Sequence, residues 1–402
     1  MENSEPDFFE AAGVGMQTSD VRQANLRAIL TLIALNPGLS AADLSRRSKL
    51  APQTVSLIIA DLAAAGLIRQ GEPLRGRRGQ PATPYFINTT GAYSIGIEIG
   101  WQHLEAVLVD IGGEDLAHYR RDYAFPDART IFAEVAGVVG QFVDKLSDEQ
   151  RRKLVAVGVA APSGIGRNVG LLNADPSLGR VWQEIDLAVE LGRNLGRPVA
   201  LYNDGNAACW AELSAFPAPR PSNFAYLHVG TFVGAGIVAE NALWEGPTGN
   251  SANLGSMLVT DRYGDDNFVH LLASLYALQR RLEGAGINVP PTTPMFWPWK
   301  DWEPHVSEWI EDASFALARA IMNTAAVIEF RTAILDGALP DPVLDRLIVA
   351  VTRDIEALPT LTFDAPTIAK GHLRSAAPCT GAAYLPLFKK FFSRALSNIA
   401  EE

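Results

Sequence analysis

The chain has few of the residues that would tie it to a membrane, an oxidising compartment or a cysteine-ligated metal. Its two cysteines, Cys209 and Cys379, cannot make a disulfide framework or an all-cysteine zinc site. No apolar run approaches the roughly 20 residues that span a bilayer, and the first 20 residues lack the order of a signal peptide. We therefore expect a cytoplasmic protein with no membrane partner.

Basic charge is scarce over most of the sequence and concentrated in one short segment. The 402 residues include 34 Lys and Arg against 45 Asp and Glu, which gives a net charge of −11. Residues 21–84 nevertheless hold nine basic and three acidic side chains, a net charge of +6, so the remainder carries −17. A basic module joined to an acidic body is typical of a nucleic-acid-binding domain whose partner domain stays off the phosphate backbone.

Residues 21–64 have the pattern of three short helices. Apolar residues recur at helical intervals up to Ile33, and Asn36-Pro37-Gly38 provides the turn chemistry that ends the first helix. Ser40 is suited to cap a second helix, with Asp43 three residues later. Pro52 is well placed at the first position of a third helix. This arrangement predicts a helix-turn-helix.

The third helix has a predicted buried stripe and a predicted reading face. The stripe consists of Val55, Ile58, Ile59 and Leu62. Gln53, Thr54 and Ser56 then project from the first turns, which are the positions that reach base edges in a helix-turn-helix. Glutamine can make two hydrogen bonds to adenine, and threonine or serine can serve bases or phosphates.

Two short apolar segments after the third helix predict the strands of a wing. They are Leu67-Ile68-Arg69 and Tyr85-Phe86-Ile87, and a segment rich in glycine and arginine joins them. Packing explains these arginines poorly, whereas minor-groove or phosphate contact explains them well. The wing residues predicted to contact DNA are Arg75, Arg77, Arg78 and Gln80. The alternative for this whole region is a small helical domain that binds another protein.

Beyond residue 92 the sequence alternates between strand-like and helix-like stretches. A strand is predicted from Tyr93 to Gly100 with a hairpin partner from Leu104 to Asp110, and further strands follow at intervals. This alternation favours an α/β fold. The last helix is predicted to begin near Gly381.

Three stretches of the N-terminal region carry a family resemblance: VRQANLRAIL, LAPQTVSLIIADLAAAGLI and RGRRGQPA resemble repressors of the ROK family (repressors, open reading frames and sugar kinases). The likeness continues over nearly the whole chain, although Gln80 stands where an arginine is usual. The resemblance implies a winged helix-turn-helix followed by a two-lobed sugar-kinase fold of the actin and hexokinase type, which is RNase H-like. It also implies regulation of carbohydrate genes.

The resemblance divides the chain into four parts. A flexible tail is expected over residues 1–20 and the winged helix-turn-helix over 21–87. The first α/β lobe is expected over 92–215, completed by a C-terminal helix at about 381–402, and the second lobe over 216–380. A homodimer or homotetramer is expected, because two readers one DNA turn apart combine modest affinities.

The two phosphate-binding motifs of the family's kinases are altered here. The first reads Glu98-Ile99-Gly100-Trp101-Gln102-His103, where the kinases have D-x-G-G-T-K. The second has Phe232 in place of a glycine within Gly230 to Gly236. Bulky side chains obstruct the backbone amides that would approach ATP phosphates. We therefore expect no ATP cofactor, no catalysis, and a vestigial base at Asp204.

The family's sugar site is retained in part. Asn203 and Asp204 match the N-D-A-N-A-A segment, whose Asp is the general base of the kinases. Gly164 matches the P-G turn, and Asn173 roughly fits the N-x-x-x-W stretch. A purely structural reading of Asn203-Asp204 is a helix cap after a strand.

The opposite wall of that site has changed. Asn253 and Ser256 stand where the kinases carry a Glu and a His in A-G-E-x-G-H. Neutral amide and hydroxyl groups can still hydrogen-bond a polyol, with less charge assistance. The family's zinc site needs that His and a cysteine cluster, but residues 257–279 contain no cysteine. We therefore expect no metal.

Three classes of function fit these observations. The leading hypothesis is a DNA-binding repressor of carbohydrate genes whose catalytically inactive body senses a sugar or sugar derivative. The second is an ATP-dependent sugar kinase with an accessory DNA domain. The third is a regulator whose body only oligomerises or binds a protein partner.

Overall fold

Three helices and a two-stranded ribbon form the N-terminal part of the protein. The computed structural model describes residues 18–73, 83–172, 174–216 and 220–393. The described residues up to Gly91, together with Phe388–Ser393, form one compact unit, and those between Ala92 and Leu387 belong to a second. The elements of the first unit are α1 (Thr18–Leu35), α2 (Ala41–Ser48), α3 (Pro52–Ala64), β1 (Ile68–Gln70) and β2 (Tyr85–Ile87).

Local sequence chemistry explains where these helices begin. The Ser40 hydroxyl accepts a hydrogen bond from the Asp43 amide, and the Asp43 carboxylate accepts one from the Ser40 amide, which completes a capping box before α2. Pro52 lies in the first turn of α3, where its missing N–H has no cost. Both starts are as the sequence predicts. Helix α1 begins at Thr18, so Thr18 to Asp20 are helical rather than part of the expected tail.

The core of this unit is the predicted one. Ile29, Leu30 and Ile33 of α1 are buried, as are all four residues of the α3 stripe. Strands β1 and β2 pair antiparallel, with Ile68 opposite Ile87. The end of the last helix also belongs to this unit: the Ser393 amide donates to the Thr31 hydroxyl at 2.9 Å. No pattern in the sequence predicts that contact.

Two sheets of the same topology form the body. Strands of the first sheet are β3 (Tyr93–Ile99), β4 (His103–Asp110), β5 (Asp115–Asp122), β6 (Leu154–Ala161) and β7 (Val199–Asn203). Their order is β5-β4-β3-β6-β7, with antiparallel pairing from β5 to β3 and parallel pairing beyond it. Strands of the second are β8 (Phe224–Val229), β9 (Val233–Ala239), β10 (Ala242–Leu243), β13 (Thr332–Gly337) and β14 (Thr367–Lys370). Their order is β10-β9-β8-β13-β14, with the same pairing pattern.

Helices cover both sheets, as the hydrophobic pattern of the strands requires. A separate pair, β11 (Leu258–Thr260) and β12 (Asp266–Phe268), forms a small antiparallel ribbon. The helices are α4 (Ala128–Asp144), α5 (Asp148–Arg152), α6 (Ile165–Asn168), α7 (Pro176–Glu184), α8 (Leu187–Leu195), α9 (Asp204–Ala215), α10 (Val269–Ala273), α11 (Leu275–Gly284), α12 (His305–Ala325), α13 (Asp341–Glu356) and α14 (Ala377–Phe391). Within the described ranges, no helix is long and apolar enough to cross a membrane.

Residues 288–304 are rich in proline and tryptophan and connect α11 to α12. They contain two short 3₁₀ helices, Pro294–Phe296 and Trp299–Trp302. Trp297, Trp299 and Trp302 are buried in the core around the second sheet, where Trp299 lies 6.4 Å from Trp309 between ring centroids. These indole rings are therefore part of the hydrophobic core around the second sheet.

Candidate functional sites

The predicted reading face of α3 presents a mixture of polar and apolar side chains. Gln53 and Ser56 are exposed and Thr54 is half-buried. The Ser56 hydroxyl donates to the Pro52 carbonyl at 2.9 Å, so its proton is already used within the helix. Leu57 is 69% exposed on the same helix, which a helical core residue would not be. The wing residues Arg75, Arg77, Arg78 and Gln80 lie outside the described residues.

Leu57 is not among the residues that the sequence predicts to contact DNA. Its position indicates such a contact, because Leu57 falls outside the predicted buried stripe of α3 and next to Ser56. An exposed leucine among predicted reading residues is suited to contact a thymine methyl group, which is an apolar feature of the major groove.

Two cavities lie in the body and share an aromatic wall. One has a volume of about 440 Å³ and the other about 410 Å³, which is within the usual range for small-ligand sites. Trp101, Asp204 and Phe232 line both of them. We call the first the loop cavity, because the altered phosphate motifs line it, and the second the polar cavity.

Aromatic rings pack against one another between the two altered phosphate motifs. Trp101, after β3, and Phe232, before β9, pack edge to face with ring centroids 4.8 Å apart. Phe232 also contacts the Tyr276 ring at 5.3 Å. The Thr231 hydroxyl donates to the Gln102 side-chain carbonyl at 3.3 Å, so the two loops also contact each other through polar atoms.

The two loops carry aromatic rings where the family's kinases have small residues. A nucleotide phosphate needs several backbone amides with open access. Trp101 and Phe232 are each only 9% exposed, and their rings pair between the two loops.

A chain of hydrogen bonds orients Asp204 in the polar cavity. Asn203 caps α9 by accepting from the Asn206 amide at 3.0 Å, as the structural reading of this motif predicts. Its side-chain amide also donates to the Ser163 hydroxyl and to Asp204 Oδ1, each at 3.1 Å. The Gly205 amide donates to the same Asp204 oxygen at 2.8 Å. The two bonds that reach Asp204 both use Oδ1, so among the described hydrogen bonds Oδ2 is the oxygen that remains for a ligand.

Burial makes Asp204 a weaker acid than usual. Loss of solvent, followed by the negative charge of Glu98, raises the pKa of Asp204 to about 6. The Gly205 hydrogen bond acts in the opposite direction by stabilising the carboxylate. Asp204 is therefore mostly ionised near neutral pH and can accept a hydrogen bond from a ligand hydroxyl.

The structure brings five of the six predicted sugar-binding residues together around this cavity. They are Gly164, Asn203, Asp204, Asn253 and Ser256, and the sixth, Asn173, lies outside the described residues. Asn253 and Ser256 are exposed, and the Ser256 hydroxyl donates to the Asn253 side-chain carbonyl at 3.2 Å. The altered wall therefore remains a hydrogen-bonding surface.

Five polar residues that line the polar cavity are not among the predicted site residues: Ser163, Asn168, Asn250, Ser251 and His270. The Ser163 hydroxyl donates to the Asn250 side-chain carbonyl at 2.7 Å, which extends the network from Asn203. His270 Nδ1 accepts from the Val233 amide at 3.1 Å, so its proton resides on Nε2. Burial lowers the pKa of His270 to about 4, and the ring is a neutral donor at physiological pH. No metal-ligand or catalytic spacing in the sequence marks these positions.

Two protein-family models match this chain, one in its N-terminal part and one in its body. The ROK family model matches residues 94–388, and a winged helix-turn-helix DNA-binding model matches residues 22–69. The chain is 25% identical over 379 residues to the uncharacterized protein y4fQ of Sinorhizobium fredii, covering 93% of each. It is 27% identical over 245 residues to the xylose repressor of Bacillus spizizenii, covering 60% of this chain and 61% of the repressor. It is 24% identical to the DNA-binding transcriptional repressor Mlc of Escherichia coli, covering 60% of Mlc.

Solved structures agree on the fold. A ROK family transcriptional regulator described as a homolog of E. coli Mlc superposes with a TM-score of 0.69 and 20% identity, covering 95% of this chain and all of that one. A ROK family glucokinase from Streptomyces griseus, in complex with glucose and AMPPNP, gives a TM-score of 0.57 and 20% identity over 73% of this chain and 99% of its own. The match to the named repressors spans about three-fifths of their length. With a family model matching most of its length, the chain belongs to the ROK family and joins the kinase-like fold of that family to an N-terminal winged helix-turn-helix.

Proposed function

We propose that this protein is a DNA-binding transcriptional repressor of carbohydrate genes whose body binds a sugar or sugar derivative and does not phosphorylate it. One observation carries the proposal: a polar cavity around Asp204 lies beside altered phosphate loops whose aromatic residues, Trp101 and Phe232, pack against each other. The winged helix-turn-helix is the part of the protein that binds the DNA. The named repressors among its relatives support the same function.

The DNA-contacting residues in this proposal are Gln53, Thr54 and Ser56 of α3 with the four wing residues. Leu57 joins them because of its exposure. The protein acts as a cytoplasmic homodimer or homotetramer, since paired readers multiply the affinity of a single site. The sugar changes operator affinity only if it binds one arrangement of the protein better than the other.

The first experiment selects genomic DNA fragments with the purified protein. A palindromic site is expected, and Gln53→Ala and Arg77→Ala/Arg78→Ala are expected to weaken its recovery. Arg129→Ala/Arg152→Ala removes the same charge from exposed positions of the body and should leave recovery unchanged. Failure to enrich any sequence over bulk DNA would contradict the regulator.

The second experiment tests the sugar site with the operator found in the first. A panel of sugars is added to the protein–operator complex, and the active sugar should change operator affinity. Asp204→Ala is expected to weaken that response at least about tenfold, because it removes a charge-assisted hydrogen bond, while operator affinity without sugar is retained. Asp265→Ala, at an exposed carboxylate elsewhere, is the control. An undiminished response in Asp204→Ala would exclude the polar cavity as the sugar site.

The kinase alternative has its own decisive assay. Sugar-dependent release of ADP from ATP, abolished by Asp204→Asn, would show that the paired rings do not prevent catalysis. Equal background release in both proteins is the result we expect.

A further inference from the structure

Three potential metal ligands meet on one face of the first sheet. Glu98 on β3 lies directly opposite Glu105 on β4 in the antiparallel register, and His103 is two residues before Glu105, so all three side chains share a face. One ligand atom from each lies within 4.8 Å of the others. A zinc ion held at 2.0–2.2 Å from three such atoms would place them about 3.4 Å apart, within reach of small side-chain rotations.

Two atoms of this trio lack the partners that buried polar atoms require. Glu98 is only 5% exposed, yet its Oε2 has no hydrogen-bond partner among the described residues. The same holds for His103 Nε2, which lies 3.2 Å from Glu98 Oε1 without hydrogen-bond geometry. Leaving a carboxylate oxygen and an imidazole nitrogen both buried and unpaired is costly, and a bound cation would satisfy both atoms.

Glu105 is held in place by its neighbours. Arg120 donates to Glu105 Oε2 at 2.5 Å, and His118 Nε2 lies 2.8 Å from Oε1. A carboxylate has about four lone-pair sites, so these two contacts leave capacity for a metal bond. Arg120 balances the charge of Glu105, whereas the ion-pair contact of Glu98 among the described residues is with His103, which is charged only when protonated.

We propose that Glu98, His103 and Glu105 bind one divalent transition-metal ion of the Zn²⁺ class. Imidazole nitrogen with carboxylate oxygen is a donor set that suits Zn²⁺ better than Mg²⁺ or Ca²⁺, which prefer oxygen ligands alone. Glu98 and His103 line the loop cavity, which gives the ion a path of entry and room for a bound water. The sequence could not show this site, because its ligands come from facing strands and do not follow a recognisable spacing.

The test is a zinc titration of full-length, untagged protein stripped with a chelator, in the presence of excess Mg²⁺. Calorimetry should give one strong site per chain, and Co²⁺ should produce absorption bands in the visible range. Glu98→Gln and His103→Asn are each expected to weaken zinc binding at least about a hundredfold and to abolish the cobalt bands.

A matched control is the His372–Glu212 pair. It also joins an imidazole to a buried carboxylate, at 2.5 Å, but no third ligand joins it in the part of the chain that the structure describes. His372→Asn should therefore leave the zinc titration unchanged. If Glu98→Gln does not fold, His103→Asn decides the result alone. The proposal is overturned if zinc gives no strong site, or if it binds equally well to both trio variants.

Discussion

Asp204 combines a role in the proposed ligand site with a cost to the stability of the fold. Its pKa of about 6 lies above the ordinary value of 3.8. Between those two values the folded protein binds more protons at this group than the unfolded chain does. The free energy of unfolding therefore falls as pH rises through this window, and the cost is fully present above about pH 6. Allowing for partial solvent contact, the cost is about 1–2 kcal/mol.

Asp204→Asn should remove that cost while keeping the shape of the side chain. We expect the variant to be about 1–2 kcal/mol more stable than the unmodified protein near pH 7 and equally stable near pH 4. Urea unfolding at several pH values, in a buffer without divalent cations, measures the difference. Asp265→Asn serves as an exposed control and should show no such pH-dependent gain. A destabilised Asp204→Asn near pH 7 would contradict the assigned cause of the shifted pKa.

At the scale of elements, close backbone contact fixes the position of Asp204. Helix α9, which begins with Asp204, packs on β9 through Gly205. A Cβ atom at Gly205 would lie 2.4 Å from both the backbone N and O of Ala235, closer than real contacts allow. Because Gly205 has no Cβ, the first turn of α9, which includes the Asp204 carboxylate, can lie close to β9.

Gly205→Ala should accordingly push α9 away from β9. Overpacking of this kind destabilises a fold by about 1–3 kcal/mol. Gly137→Ala is the matched control, because Gly137 lies within α4 and its added Cβ would meet nothing within 4 Å. That control should stabilise the protein by about 0.5–1 kcal/mol. Chemical unfolding of the two variants provides the comparison, and equal effects would exclude the close-contact explanation.

The elements that sequence reasoning found are those with strong apolar periodicity or cap chemistry. Strands β3, β4 and β8 and the helices α2 and α3 have both apolar patterns and clear boundaries. Strand β5 has the sequence DLAHYRRD, which is too polar for a strand prediction. It forms because it pairs antiparallel with β4 along its length. Helix α14 begins at Ala377, four residues before the predicted Gly381, and it contains Pro386, which local rules would place outside a helix.

The same contrast holds for the candidate sites. Asn203 and Asp204 were identified because they lie in a contiguous motif with known chemistry. His270 reaches the polar cavity from a helix whose sequence has no motif, and Asn250 comes from a loop. Side chains brought together by tertiary packing alone leave no spacing in the sequence. Only the three-dimensional arrangement reveals them.

At the scale of the whole molecule, charge is segregated between the parts of the chain. The segment of residues 21–84 carries +6 and the remainder carries −17. Phosphate contacts release counterions, whereas an acidic body gains nothing from approaching DNA. The dependence of operator affinity on salt should therefore come from the N-terminal segment, including the wing arginines.

This segregation predicts how affinity changes with ionic strength. Each phosphate contact contributes about −0.9 to the slope of log affinity against log salt concentration, so Arg77→Ala/Arg78→Ala should make the slope shallower by about two per protomer. Arg129→Ala/Arg152→Ala, which removes two exposed charges from the body, should leave the slope unchanged. Operator titrations at four or five salt concentrations measure both variants. A slope that Arg77→Ala/Arg78→Ala does not alter would mean that these arginines do not contact phosphates, and a slope that the control alters would assign DNA contacts to the body.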